Sequence, residues 1–133
     1  MPHCIRKPSL LIVDDDPVIL EIICEFLKRF LAGVDVDATD SPGTALQQAL
    51  SNQYSAVVTD LMMPGISGLE LASKIHAMHP NTPIVFMSGM EQELEECRPH
   101  AFACLRKPFD IGTFVETVRS AVVNGPFHPH PLA

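Results

Sequence analysis

The chain alternates short, wholly apolar runs with longer segments whose apolar residues recur every three or four positions. Leu10-Leu11-Ile12-Val13 is the first such run, and it stops at Asp14-Asp15-Asp16. An apolar run of this length, bounded by turn residues, reads as a strand buried on both faces. Pro17 suits the first turn of a helix, where its missing N–H costs nothing. Ile19, Ile22, Ile23, Phe26, Leu27 and Phe30 then fall at helical spacing, with Glu21, Glu25, Lys28 and Arg29 on the other side. Val34 to Ala38 alternates apolar and acidic residues, which predicts a strand with one wet face near a sheet edge. Ser41-Pro42 opens a second helix carrying Ala45, Leu46, Ala49 and Leu50.

The same alternation continues to the end of the chain. Ala56-Val57-Val58-Thr59 is a buried run that ends at Asp60, followed by a loop over 64–68. Ser67 and Glu70 read as a capping box for a helix bearing Leu71, Ile75 and Met78. Ile84-Val85-Phe86-Met87 ends at Ser88-Gly89, and a short acidic helix is expected over 91–97. Ala101 to Leu105 forms a fifth run, ending at Arg106-Lys107-Pro108. Asp110 caps a last helix with the stripe Ile111, Phe114, Val115, Val118, Ala121 and Val122, closed by Asn124-Gly125. Five strands alternating with five helices define an α/β class, a single doubly wound domain over 10–124 with a parallel sheet covered on both faces. Residues 1–9 read as an extension, and 125–133 as a tail containing proline and histidine.

Composition narrows the function. The 133 residues suit one domain, and 47% hydrophobic with 19% charged residues is an ordinary globular balance. A net charge of −7 disfavours gripping a phosphate backbone, so nucleic-acid binding by this domain alone is not expected. No apolar run approaches the ~18 residues of a membrane span, and the first run is too short and too acidic for a signal peptide. Cys4, Cys24, Cys97 and Cys104 lack metal-site spacing and read as reduced thiols of a cytoplasmic protein. His76 and His79 sit at a helix end beside Pro80, where cationic His complements the dipole, rather than as metal ligands.

The chemistry gathers at the strand ends: Asp14, Asp15 and Asp16 after the first, Asp60 after the third, Ser88 after the fourth and Lys107 after the fifth. In an open parallel sheet such residues converge on one edge, where ligands bind. Crowded carboxylates repel unless a cation joins them, and an all-oxygen cluster with few ligands suits Mg2+. A lysine and a hydroxyl supply donors for phosphoryl oxygens, and carboxylates form acyl phosphates. The set is therefore an acceptor carboxylate, a cation and two groups that hold a transferred phosphoryl. Asp16 before Pro17 reads equally as a helix cap.

From about Ser9 to Asn124 the chain resembles the receiver domain of bacterial two-component response regulators. The matching pieces are LLIVDDDP at 10–17, VVTDLMMPGISGLEL at 57–71, PIVFMSG at 83–89 and LRKPF at 105–109. The resemblance implies a flavodoxin-like (CheY-like) fold with sheet order 2-1-3-4-5, the order usual for such receivers. It implies that Asp60 is the phosphoacceptor, and that Asp14 and Asp15 hold Mg2+, Asp15 directly and Asp14 through water. Met62 would add its backbone carbonyl to the metal. Ser88 would turn toward the phosphoryl group, Lys107 would pair with it, and Lys107-Pro108 would be cis. The implied partners are a sensor histidine kinase or phosphotransfer protein upstream and a protein target downstream. That target would read the face made by the fourth helix, fifth strand and fifth helix, and phosphorylation could drive a dimer. Such a domain catalyses its own phosphorylation and dephosphorylation and turns over no outside substrate.

Two positions depart from the family. Cys104 stands where Tyr or Phe is usual, with Phe102 expected on the same face by strand alternation. Glu91, Glu93, Glu95 and Glu96 make the fourth helix unusually acidic, read as a solvated face, with a partner-selecting patch as the alternative. Two other functions fit parts of the pattern. One is a degenerate receiver serving as a binding or dimerisation module. The other is a small Mg2+-dependent aspartyl phosphohydrolase, which would need an acid/base carboxylate where Met62 stands.

Overall fold

The computed structural model describes residues 7–123. The extension through Arg6, the closing Asn124-Gly125 and the tail with His128 and His130 lie outside the described residues. Five strands and five helices alternate: β1 Ser9–Val13, α1 Pro17–Phe30, β2 Asp35–Thr39, α2 Pro42–Ser51, β3 Ala56–Asp60, α3 Gly68–Met78, β4 Ile84–Ser88, α4 Glu91–Cys97, β5 Ala103–Arg106 and α5 Ile111–Val123. A 3-10 turn, Arg98–His100, follows α4. All strand pairs are parallel, in the order β2-β1-β3-β4-β5.

Each strand's side chains alternate between two cores, as a pleated strand requires. Leu10 and Ile12 of β1 join Val58, Val85 and Met87 under α1 and α5, where Ile23, Leu27, Phe114 and Val118 are buried. Leu11 and Val13 join Val57, Ile84 and Phe86 on the other face, under Ala45 and Ala49 of α2, Leu71 and Ile75 of α3, and Leu94 of α4. Every residue of β3 and β4 is buried, which is why those runs carry no polar alternation. Edge strand β2 is largely exposed, matching its alternation of apolar and acidic residues.

Helix starts follow local chemistry. Asp16 caps α1, accepting from the Val18 and Ile19 N–H groups at 2.9 and 3.4 Å, so the cap reading of Asp16 holds. Ser41 caps α2 and Ser67 caps α3 through the Thr44 and Glu70 N–H groups. Asp110 accepts from Thr113 N at 2.9 Å at the head of α5. His79 closes α3, and its Nε2 lies 3.0 Å from the Ala49 carbonyl.

Two expectations about side-chain facing need correction. The buried face of α1 is Leu20, Ile23 and Leu27, while Ile22 is 50% and Phe30 49% exposed. The helix is apolar over more than one face, so periodicity alone does not select the face the sheet covers. Phe102 packs against the α1/α5 core while Cys104 packs against the other. β5 begins at Ala103, so strand alternation does not reach back to Phe102.

Candidate functional site

Register, rather than sequence proximity, assembles the site. Val13 pairs with Thr59, so Asp14 and Asp60 follow side by side at the ends of β1 and β3. Asp60 pairs with Met87, and Ser88 with Arg106, which brings Ser88 and Lys107 to the same edge. The chain leaves β1 toward β2 and returns on the other side as β3, so this edge is the switch point of the sheet.

Asp14 is fully buried and Asp60 is 7% exposed, whereas Asp15 is open to solvent. One carboxylate oxygen from each of the three lies within 4.8 Å of the others. Lys107 Nζ donates to Asp14 Oδ2 at 2.8 Å and to Asp60 Oδ2 at 3.1 Å. Asp14 Oδ1 accepts the Asp16 N–H at 2.9 Å, which fixes its rotamer. Asp60 Oδ1 receives the Met62 N–H at 3.4 Å. Met62's side chain is exposed, so only its main chain borders the cluster.

Electrostatics follow from the burial. Loss of water pushes the Asp60 carboxyl above the ordinary aspartate range, opposed by Lys107 and reinforced by Asp14. Burial would lower Lys107, but its bonds to Asp14 and Asp60 outweigh that and hold the ammonium above the ordinary lysine range. One ammonium faces two buried carboxylates and a third at the rim, so the cluster is short of positive charge. Its donors are all oxygen, and two of the three are buried, which is the chemistry a hard divalent cation of Mg2+ type takes.

Ser88 reaches the same edge, but its hydroxyl is engaged elsewhere. It donates to Glu93 Oε1 at 2.5 Å and accepts the Met90 N–H at 3.0 Å. The Lys107-Pro108 bond is cis. Glu91 and Glu95 both pair with Arg98, so the acidic helix is partly neutralised on its own surface.

Sequence reasoning missed two residues. A Cβ on Gly68 would lie 2.2 Å from the Asp60 carbonyl oxygen and 2.9 Å from Leu61 Cα, so only glycine lets α3 start against the end of β3. Its φ is not positive, and its place at the end of the 64–68 loop gave no sign of this close contact. Glu93 was lost among its neighbouring glutamates, because nothing in composition says which of them turns inward.

A doubly wound parallel sheet with an acid cluster and a lysine at its switch point is the arrangement of a phosphate-handling α/β domain. The family model described as response regulator receiver domain matches residues 10–119, and the chain belongs to that family. It is 31% identical to the DNA-binding transcriptional regulator NtrC of Bradyrhizobium sp. (strain RP501 Parasponia), over 86% of this chain and 24% of that protein. It is 29% identical to the response regulator ArlR of Staphylococcus saprophyticus, over 89% of this chain and 54% of that protein. The chain spans about a quarter of the length of NtrC and DctD. The fold is shared with the chemotaxis protein CheY4 of Vibrio cholerae, at TM-score 0.77 and 23% identity, covering 87% of this chain and 99% of that one. It is shared too with a signal receiver domain from Pseudomonas fluorescens Pf-5, at TM-score 0.80 and 22% identity, covering 92% and 91%. The protein is thus a receiver domain of two-component signalling.

Proposed function

We infer that Asp60 accepts a phosphoryl group from a phosphohistidine on a sensor kinase or phosphotransfer protein. The observation that carries this is the double bond-making of Lys107 Nζ, which reaches Asp14 and Asp60 together at the edge of the sheet. Asp60 attacks phosphorus through a carboxylate oxygen, the P–N bond breaks, and the departing imidazole nitrogen keeps the electron pair. Lys107 moves from Asp60 toward a phosphoryl oxygen, the stronger anion. Asp15 at the rim and Asp14 behind it, with Asp60 and the Met62 carbonyl, would hold Mg2+, which would supply charge neutralisation for the transferring group. Catalysis ends with this chain's own modification, and the 10–124 unit is signal-carrying rather than metabolic.

The partner surface has support of its own. Ile19, Ile22 and Phe26 with Pro108, Phe109 and Ile111 line an open apolar groove of about 440 Å³ that runs up to Lys107. Exposed apolar area beside a phosphoryl site suits docking of a donor protein. The free thiols of Cys24, Cys97 and Cys104 support a reducing, cytoplasmic setting. No described helix is long and apolar enough to cross a membrane. A downstream protein target on the α4, β5 and α5 face, and dimerisation through it, belong to the same reading.

The test is intact mass after incubation with Mg2+ and acetyl phosphate. The parent should gain one phosphoryl group, and Asp60→Ala should gain none. Unchanged labelling of Asp60→Ala would refute the assignment, and turnover of phosphomonoesters by the parent would favour a phosphohydrolase instead.

A further inference from the structure

Ser88 has one hydroxyl proton, and this chain commits it to Glu93. The 2.5 Å separation of Ser88 Oγ from Glu93 Oε1 is that of a charge-assisted O–H···O⁻ bond, roughly twice as strong as a neutral one. It is sheltered, since Ser88 is 2% exposed and Glu93 is half-buried. Ser88 closes β4, one residue beyond the partner of Asp60, and Glu93 lies in the first turn of α4. One bond therefore ties the rim of the acid cluster to that helix. Met90 provides no side-chain cap for α4, and Glu91 and Glu95 are directed to Arg98. The β5 residue facing α4 is Cys104, whose Sγ lies 3.8 Å from the Leu94 carbonyl. It has no ring or phenol with which to relay a change at Ser88.

We propose that Glu93 restrains loading of Asp60 by positioning Ser88: it holds the Ser88 hydroxyl toward α4, and loading of Asp60 must break that bond and release the first turn of α4. The proposal rests on Asp60 being the acceptor. A phosphoryl group on Asp60 sets new anionic oxygens beside the end of β4. A single proton cannot serve both those oxygens and Glu93, so the two acceptors compete. The competition is reciprocal: whatever strengthens the Glu93 bond weakens loading, and loading frees α4 by the same free energy.

Fluoroberyllate with Mg2+, titrated calorimetrically, is the probe. Removing the competitor in Glu93→Ala should tighten fluoroberyllate binding about tenfold, the scale of one hydrogen bond to a charged group. Glu93→Gln, which still accepts but without charge, should fall between, and it carries the comparison if the alanine variant does not fold. In a Ser88→Ala background there is no proton to release, so Glu93→Ala should change affinity by less than about twofold. Equal affinities of parent and Glu93→Ala, or the same gain in the Ser88→Ala background, would overturn the role of Glu93 and leave Asp60 as acceptor. No fluoroberyllate binding to any of these proteins would overturn the acceptor reading and this proposal with it.

Discussion

Lys107 is the residue on which the acid cluster depends. It is the cation that Asp14 and Asp60 share, and both carboxylates are largely withdrawn from water, so losing it would leave their charges uncompensated. The carboxylates themselves were legible in the sequence because each ends a buried run, where a charged residue has no core to enter. Gly68 was not, because its role is to let two backbones approach rather than to adopt a positive φ. Gly68→Ala should push the main chain at Asp60, costing about 1–3 kcal/mol as overpacking does. It should also slow labelling by acetyl phosphate more than an equally destabilising substitution in the α5 core does. Urea unfolding together with labelling rates would check both, and a normal rate in a destabilised Gly68→Ala would show that the contact is structural only.

Among the elements, the three inner strands were read to within a residue, β5 begins two residues later than its apolar run, and the helix faces were read less well. The inner strands β1, β3 and β4 are short and buried on both sides, so nearly every position agrees. α1 carries Val18, Ile19, Leu20, Ile22, Ile23, Phe26, Leu27 and Phe30, too many apolar residues for one face. The sheet takes Leu20, Ile23 and Leu27, while Ile19, Ile22 and Phe26 line the groove that ends at Lys107. The surplus that obscured the packing face is thus itself the mark of a second surface. The start of α1 separates two roles for the acidic triplet. Asp16 is bound to its own helix N–H groups, so Asp16→Ala should cost about 1 kcal/mol in stability as the loss of an N-cap does. Labelling of that variant in saturating Mg2+ should stay within about twofold of the parent, and a large loss would make Asp16 part of the metal site.

The whole molecule brings together residues from β1, β3, β4 and β5, and the parallel register alone does so. Sheet order came from the family resemblance, since spacing does not dictate it, and the register bears it out. The charge imbalance at this edge is a property of the complete fold: the unfolded chain disperses it. A cation that binds only the folded cluster stabilises by mass action, so millimolar Mg2+ should raise the melting temperature. Asp15→Asn should remove most of that gain and melt higher than the parent in chelator, because one repelling charge is gone. A melting temperature indifferent to Mg2+ in the parent would count against the site.

If the phosphoryl group resides on the Asp60 carboxylate, it can be trapped there as the acyl phosphate. The protein is labelled with acetyl phosphate and Mg2+, reduced with borohydride, which converts an acyl phosphate to the alcohol, and sequenced by peptide mass spectrometry. Homoserine is expected at position 60, with unmodified aspartate at 14, 15 and 16. Reduction at any of those three, or a labelled protein without homoserine at 60, would contradict it.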